Sequence, residues 1–399
     1  MMRTETIHYV VQNDNGNSEQ KIIINGKLKK QANVYKKLTK KPTYLNLKPE
    51  QVIPQLLEHL NVSITSGAVS SPGMYFIGEK ALKSSDSPHN LDIDVLKKYE
   101  QELPVINTAS FLAGYAVQEV FTKSGVLPNR IDVTVEMETC LPASEWTIEH
   151  AEQFEKQFID HTHTITVHVD ATDVVVHVNF QKVDVLQEGV SALFALINEI
   201  DEEGIVQYRS STMFSEFEKT YQLEEITGEY FERKRIQHAD IGDGTTEFPL
   251  TEGYDFEHDK KSGKKYGIGH AIESAKEKLA DEVNVEIERQ HFAEIIKDPN
   301  PNRRFKKLAL TYLDEEKVEQ ADKIYSELTK RLRKAQYNVD VVAVYGGGNI
   351  HMKDVLYEQL KEFCDKYSIK VLWIPKDFTT NMNVEGMTIY HALSQEDEE

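Results

Sequence analysis

The stretch Asp240-Ile241-Gly242-Asp243-Gly244-Thr245-Thr246 decides the fold of this chain. It lies between residues 235–239 and 247–250, whose composition predicts two β-strands, so the stretch itself predicts a tight turn. Its glycines permit backbone angles that are closed to other residues and allow close approach to a ligand. Successive N–H groups in such a turn form a nest that binds anions, the threonines add hydroxyl donors, and the aspartate offers Mg²⁺ a hard oxygen. An ordinary hairpin turn, with glycines for geometry alone, would show the same pattern.

Two further glycine clusters occur far from the first. Asn13-Asp14-Asn15-Gly16-Asn17-Ser18 lies between apolar residues 7–11 and 21–24, which again predicts a strand, a polar turn with an aspartate, and a strand. Gly346-Gly347-Gly348-Asn349 follows a strand predicted over 339–345 and opens a helix predicted over 352–367. Two turns of one type, distant in sequence, predict a duplicated α/β fold with a nucleotide in the cleft between its halves.

In this order, the three segments resemble the phosphate-1, phosphate-2 and adenosine motifs of the actin-like ATPase superfamily. Three other segments resemble parts of the bacterial plasmid-segregation actins: residues 138–142 (ETCLP) their "TGLP" segment, residues 185–192 (VLQEGVSA) the segment with their catalytic acid, and residues 383–387 (NVEGM) their C-terminal "NVxG" turn. The chain therefore resembles the ParM-like, or Alp-type, actins over nearly its whole length. Asp243 replaces a common glycine, Glu247 replaces a common aspartate, and residues 30–100 match no motif.

The resemblance implies an α/β, actin-like two-lobe fold, built from duplicated ribonuclease-H-like domains with a nucleotide cleft between the lobes. We expect the core of lobe I over residues 1–30, 98–233 and 388–399, and its outer subdomain over 31–97. We expect the core of lobe II over 234–280 and 337–387, and an outer helical subdomain over 281–336.

The resemblance also implies an NTP hydrolase that uses ATP or GTP with Mg²⁺. Asp14 and Asp240 are expected to hold Mg²⁺ through water, and Asp240 and Glu188 to be catalytic, with Glu188 orienting the attacking water. Phosphoryl transfer demands little more than such positioning and charge stabilisation. The remaining expected nucleotide contacts are Gly16, Asn17, Ser18, Gly242, Asp243, Gly244, Thr245, Thr246, Gly346, Gly347, Gly348 and Asn349, with Glu273 and Lys276 as candidates for the ribose and base.

Two of these assignments have plainer alternatives. Glu188 precedes a helix predicted over 190–200, where a carboxylate also serves as a partner of the helix dipole. Glu273 and Lys276 also fit an ordinary surface helix predicted over 271–279. Elsewhere the patterns predict an amphipathic helix over 49–60, paired strands over 161–169 and 174–180, a polar loop over 251–265 and a terminal helix over 389–393. The histidines of the paired strands are expected to be structural or surface residues and not metal ligands.

Composition limits the partners of the chain. At 399 residues it exceeds the size of one hydrophobic core, so two or more lobes are expected. With 46 basic and 66 acidic residues the net charge is −20, which disfavours direct DNA binding. The resemblance implies self-association into filaments, and plasmid segregation through a DNA-bound adaptor of the ParR type. Two cysteines, no membrane-length apolar run and no apolar signal region predict a cytoplasmic protein, and the resemblance implies a bacterial one.

Two other functions remain open at this point. A small-molecule kinase on the same nucleotide fold would need a carboxylate base that faces its substrate, and lobe I has no second glycine-flanked aspartate for that role. A non-catalytic filament scaffold would have a degenerate nucleotide pocket, whereas Asp14, Glu188 and Asp240 are all present.

Overall fold

The computed structural model describes residues 4–84, 88–92, 97–210, 212–257 and 263–396. Residues 258–262 of the predicted polar loop and the acidic tail 397–399 lie outside the described residues. The chain divides into two compact units. Unit 1 comprises Met1–Leu141 and Glu145–Leu186, and unit 2 comprises Pro142–Ser144 and Gln187–Glu399. The finer division into lobe cores and outer subdomains stays a prediction.

Unit 1 is built on one large sheet that packs against helix α3. Its elements are β1 (Thr4–Asn15), β2 (Glu19–Ile24), β3 (Lys27–Ala32), β4 (Tyr35–Lys37), α1 (Pro49–Val52), β5 (Asn61–Thr65), β6 (Gly73–Ile77), α2 (Glu79–Leu82), α3 (Leu103–Ser124), β7 (Arg130–Leu141), α4 (Ile148–Ile159), β8 (His163–Val169) and β9 (Thr172–Gln187). In the described residues the strand order is β3-β2-β1-β7-β9-β8-β5-β6-β4. The apolar side of this sheet and α3 share one buried core.

Unit 2 contains a second, smaller sheet with helices around it. Its elements are α5 (Val190–Ile197), β10 (Asn198–Ile200), β11 (Val206–Tyr208), α6 (Ser215–Tyr221), α7 (Gly228–Glu232), β12 (Arg235–Ile241), β13 (Thr246–Glu247), β14 (Leu250–Glu252), β15 (Asp255–Glu257), α8 (Ile268–Val283), α9 (Arg289–Lys297), α10 (Lys306–Lys334), β16 (Val341–Tyr345), α11 (Asn349–Asp365), β17 (Lys370–Trp373), α12 (Lys376–Thr379) and α13 (Met382–Glu396). Across the described strands the order is β15-β14-β12-β16-β17, with β13 paired to β12.

The two sheets repeat one arrangement. In unit 1, strand β1 pairs with β2 antiparallel and with β7 parallel. In unit 2, strand β12 pairs with β13 and β14 antiparallel and with β16 parallel. All five residues of β16 are buried, as is usual for a parallel strand covered on both faces. The duplicated α/β fold expected from the sequence is therefore present.

Several predicted elements differ from those observed. The predicted helix over 49–60 is only one turn, α1, followed by two short 3₁₀ turns, because Pro54 has no N–H to continue the ladder. The helix predicted over 190–200 ends at Ile197, and β10 follows it. The polar loop predicted over 251–265 contains β15.

The expected "NVxG" turn is wrong, because Asn383–Met387 lies inside helix α13, which begins at Met382 and not near residue 389. A Cβ atom at Gly386 would overlap the carbonyl oxygen of Ser191 on α5. The glycine therefore permits two helices to pack closely and does not form a turn.

Candidate functional site

The turn between β1 and β2 is closed by a hydrogen bond from Gly16 N to Glu19 O at 3.1 Å. A Cβ atom at Gly16 would lie 2.9 Å from that same oxygen, so the turn favours glycine. The N–H groups of Asn17 and Ser18, the next two residues, have no acceptor among the described residues. Asp14, two residues before the glycine, is buried at 6% exposure.

The turn between β12 and β13 has the same construction. Gly242 N donates to Thr245 O at 2.8 Å, and a Cβ atom at Gly242 would lie 3.0 Å from that oxygen. The N–H groups of Asp243 and Gly244 have no acceptor in the described part of the chain. Asp240, again two residues before the glycine, is buried at 8% exposure. Each unit therefore presents two successive free N–H groups and one buried carboxylate.

This geometry refines the expected glycine contacts. The N–H groups of Gly16 and Gly242 close their own turns and are not available to a ligand. The available donors are the N–H groups of the residues that follow each glycine, which is the arrangement of an anion-binding nest.

In unit 1, Asp14 lies beside the end of strand β7. Cys140 Sγ donates to Asp14 Oδ1 at 3.9 Å, and Thr139 Oγ1 donates to the carbonyl of Asn13 at 2.9 Å. The ammonium of Lys21 lies 3.8 Å from Asp14 Oδ2, which is a long ion pair. Thr139 and Cys140 of the ETCLP segment therefore support the turn.

A buried polar network that the sequence analysis missed holds the same turn. The hydroxyl of Thr108, on α3, accepts hydrogen bonds from the side-chain amides of Asn13 at 2.9 Å and Gln20 at 3.1 Å, and the amide of Asn15 lies 3.3 Å from the same oxygen. Asn33 Nδ2 donates to the carbonyl of Gly16 at 2.7 Å. These bonds fix the turn to the helix behind it and keep the turn ordered.

In unit 2, Asn383 joins three parts of the chain. Its Nδ2 donates to Asp240 Oδ2 at 3.0 Å. Its Oδ1 accepts from Ser191 Oγ at 3.0 Å and from Gly189 N at 3.3 Å. Helix α13 therefore orients the carboxylate of Asp240 and, through the same side chain, the start of α5. Glu188 is half-buried directly before that start.

The glycine triplet packs on the same turn. Gly346 has φ +90°, and a Cβ atom there would overlap Asp240 Oδ1. Gly348 N donates to Ile241 O at 2.7 Å. A Cβ atom at Gly347 would meet nothing within 4 Å, so this glycine faces open space. Unit 2 thus brings Asp240, the triplet and the Glu188 segment together.

Residues 238–358, which span both glycine motifs of unit 2, match the family described as the archaeal actin homologue MreB-like, C-terminal. The actin-like protein Alp7A superposes with a TM-score of 0.68 over 99% of this chain and 98% of that protein, at 14% identity. The chain has the actin-like two-lobe fold of the ParM and Alp proteins. No curated protein matches it.

Two more solved structures support this actin-like fold. Bacillus thuringiensis ParM with ATP superposes with a TM-score of 0.60 over 97% of this chain and 99% of that protein, at 16% identity. The archaeal actin homologue Ta0583 superposes with a TM-score of 0.61 over the same shares, at 14% identity. The expected fold and the resemblance to ParM-like actins are thus confirmed. In the described part of this actin-like chain, every helix is too short or too polar to cross a bilayer.

Several predicted contacts of the actin-like site are engaged with the protein itself. The Asp243 carboxylate accepts from Arg289 Nη2 at 2.6 and 2.7 Å, a pairing without any sequence signal. Thr246 Oγ1 donates to the carbonyl of Tyr266 at 3.3 Å. The buried side chain of Asn349 donates to the carbonyls of residues 344 and 374, which anchors the glycine triplet to the sheet.

Glu273 and Lys276 form an ion pair with one another on α8. The helix also contacts the phosphate-2-like turn, because Gly269 N donates to the carbonyl of Asp243 at 2.6 Å. The role of Glu273 and Lys276 at the ribose and base stays a prediction. Thr245 lies half-buried in the turn and likewise keeps its predicted role.

A buried Tyr–His pair lies behind the unit 2 turn. Tyr345 Oη and His238 Nδ1 are 3.2 Å apart, and His238 Nε2 lies 2.9 Å from Thr251 Oγ1. Burial raises the pKa of Tyr345 well above its usual value, and the charges of Asp240 and Glu188 add to the effect. Burial lowers the pKa of His238 to about 3. Both side chains are therefore neutral near pH 7 and add no charge beside the carboxylates.

Proposed function

We propose that this actin-like chain binds and hydrolyses a nucleoside triphosphate, ATP or GTP, and assembles into filaments in its nucleotide-bound form. One observation carries the proposal: two hairpins with the same Asp-x-Gly spacing, the same closing hydrogen bond and the same free N–H pair occur at equivalent places of a duplicated fold. A turn that served only to connect strands would not need a buried carboxylate in both copies.

The residues present fit a magnesium ion. Mg²⁺ prefers oxygen ligands and keeps several of its waters, so one or two carboxylates suffice. Asp14 and Asp240 are buried carboxylates, and among the described residues Lys21 forms only the long, 3.8 Å ion pair with Asp14. In each unit the aspartate is a candidate to hold the ion through water. When bound, Mg²⁺ would neutralise charge on the phosphate oxygens.

Groups of the protein would bind the phosphates, hold the attacking water and orient Asp240. The free N–H groups after Gly16 and Gly242 would donate to phosphate oxygens without a reorganisation cost, since the turns are already closed. Glu188 would hold and polarise the attacking water. Asn383 would keep Asp240 in place through its 3.0 Å hydrogen bond. Such positioning accounts for most of the catalysis in phosphoryl transfer.

At a finer level, the filament would segregate plasmid DNA in a bacterial cytoplasm through a DNA-bound adaptor of the ParR type. The net charge of −20 supports this division of labour, because an acidic surface repels the DNA backbone and leaves DNA contact to a partner. Similar structures include ParM with ATP, AMPPNP and ADP and a non-polymerisable ParM mutant, which supports nucleotide binding and self-association as proposals for this chain.

The proposal is tested by changing one carboxylate in each unit. Asp14→Asn and Asp240→Asn should each reduce phosphate release at least tenfold, while the control Asp132→Asn, on the surface of β7 beside Arg130, should not. Binding of fluorescent ATP and GTP analogues, and phosphate release, would be measured on the same folded samples. Wild-type protein that binds neither analogue at millimolar concentration would overturn the proposal.

A further inference from the structure

Three side chains of unit 1, remote in sequence from the glycine turns, form a hydrogen-bonded relay. His168 Nδ1 lies 2.6 Å from Asp173 Oδ1, and His168 Nε2 lies 2.8 Å from Ser63 Oγ. Ser63 is on β5, His168 on β8 and Asp173 on β9, and the pairing of these strands sets the spacing. A sequence separation of 105 residues between serine and histidine hides this relay from any local motif.

The partners determine where the protons are. An ionised carboxylate only accepts hydrogen bonds, so the Nδ1 atom of His168 carries the proton that Asp173 accepts. In the neutral imidazole Nε2 is then an acceptor, and the hydroxyl of Ser63 donates to it. This is the arrangement that activates a serine nucleophile: a carboxylate, a histidine base and a hydroxyl linked in series by hydrogen bonds.

Exposure distinguishes this relay from a purely internal hydrogen-bond network. Ser63 is half-buried, and the side chain of Asp173 is 50% exposed. The same sheet contains an internal counterpart: Ser66 Oγ lies 2.8 Å from His163 Nδ1, and His163 Nε2 lies 2.9 Å from the carbonyl of Phe158. Ser66 and His163 are both buried, and neither of these two hydrogen bonds of His163 involves a carboxylate. Burial also lowers the pKa of His163.

An unsatisfied polar group lies on the same strand as the serine. Asn61 is two residues before Ser63, so the two side chains share one face of β5. Asn61 is buried at 8% exposure, and its Oδ1 has no hydrogen-bond partner in the described structure. Buried polar groups are normally hydrogen-bonded, so this amide indicates a place for a ligand atom. A rotation of the amide by 180° would present its NH₂ group instead.

A second unsatisfied group lies near the histidine. The ring of Tyr44 lies 6.4 Å from the ring of His168, and its buried hydroxyl has no partner among the described residues. Burial, and then the charges of Asp173 and Asp170, raise the pKa of Tyr44, so its hydroxyl stays protonated and can donate. The segment is held in place because Asp170 accepts from the N–H groups of residues 45 and 47 at 2.9 and 2.6 Å.

We propose that Ser63, His168 and Asp173 form a nucleophilic site that accepts acyl groups from activated carboxylic esters. Ser63 Oγ would bond to the ester carbonyl carbon while its proton passes to His168 Nε2. The bond to the leaving alcohol would then break, and the alcohol would take that proton. Water would release the carboxylic acid by the same route. The amide of Asn61 and the hydroxyl of Tyr44 are the donors available to the developing oxyanion.

The test uses the full chain without nucleotide, so its result is independent of the proposed nucleotide function. A fluorophosphonate probe would be added and the modified peptide identified by mass spectrometry. In this reaction Ser63 Oγ bonds to phosphorus and fluoride leaves. We expect one modified site, at Ser63, and a matching burst of nitrophenol from 4-nitrophenyl acetate.

Three variants separate activation from fold. Ser63→Ala should abolish both signals, and Ser66→Ala, in the internal pair, should leave them unchanged. Asp173→Asn keeps the size of a half-exposed side chain but allows the wrong tautomer, so labelling should slow about 10²-fold, the low end for a positioned base, at an unchanged melting temperature. Folded wild-type protein that is not modified at Ser63, or Asp173→Asn protein that is modified at the wild-type rate, would overturn the proposal.

Discussion

Replacing Asn383 with alanine removes the side chain that joins Asp240 to the start of helix α5. The variant loses one hydrogen bond to a carboxylate, at 3.0 Å, and two that the Asn383 carbonyl oxygen accepts. Hydrogen bonds to charged groups contribute about 1.5–3 kcal/mol, and neutral ones about 1 kcal/mol each. Because Asn383 is half-buried and water replaces part of the loss, the free energy of unfolding should fall by about 2 kcal/mol.

The effect on hydrolysis follows from the carboxylate bond alone. If Asp240 must be held in one orientation to serve the site, losing about 1.5–3 kcal/mol of positioning slows phosphate release about 10- to 100-fold, since about 1.4 kcal/mol is a factor of ten. Nucleotide binding should weaken less, because the free N–H groups of the turns are untouched.

Ser191→Ala is the matched control, because it removes one of the two neutral bonds to Asn383 and leaves the bond to Asp240. It should cost about 1 kcal/mol of stability and change phosphate release less than twofold. Chemical denaturation and phosphate release would be measured on both variants. Equal hydrolysis in Asn383→Ala and wild type, or equal losses in the two variants, would refute the positioning role.

Other predictions concern single positions. Glu188→Gln should slow phosphate release about 10²–10⁴-fold while nucleotide binding and filament assembly persist, so that filaments outlive those of the wild type; unchanged release would leave Glu188 as a helix partner only. Gly386→Ala should strongly lower the free energy of unfolding, because its Cβ overlaps the facing helix. Gly347→Ala should change the free energy of unfolding by no more than about 0.5 kcal/mol, and equal effects of the two substitutions would contradict this packing. His238 binds a proton readily only when unfolded, so stability should fall as pH drops from 6.5 towards 3, by up to about 1.4 kcal/mol per pH unit; denaturation of His238→Gln should show a flatter slope.

Local patterns predicted the parts of the fold that depend on neighbouring residues. Both hairpin turns were predicted from an Asp-x-Gly sequence between apolar strands. In the structure Gly16 and Gly242 lie in these turns and donate the hydrogen bonds that close them. The expectation that the histidines are structural is consistent with His163, whose two ring nitrogens bond to protein groups. By contrast, the apolar spacing over 49–60 predicted a continuous helix that does not form, because Pro54 lacks the N–H group that a helix needs there.

The supporting residues of the site could not be predicted, because their partners are far away in sequence. The bond between Asn383 and Asp240 spans 143 residues, and that between Asn13 and Thr108 spans 95. Gly386 gave a misleading local signal, because a glycine at a helix crossing and a glycine in a turn look alike in sequence.

The central claim is that nucleotide binding drives self-association and depends on the aspartate of each glycine turn, and light scattering tests it most directly. Wild-type protein would be followed at several concentrations with Mg²⁺ and ATP, with Mg²⁺ and GTP, and with Mg²⁺ alone, beside the Asp14→Asn and Asp240→Asn variants. Scattering should rise only with a triphosphate, decay as phosphate is released, and stay flat in both variants. Scattering that stays flat with both triphosphates, or that rises equally without nucleotide, would contradict the account.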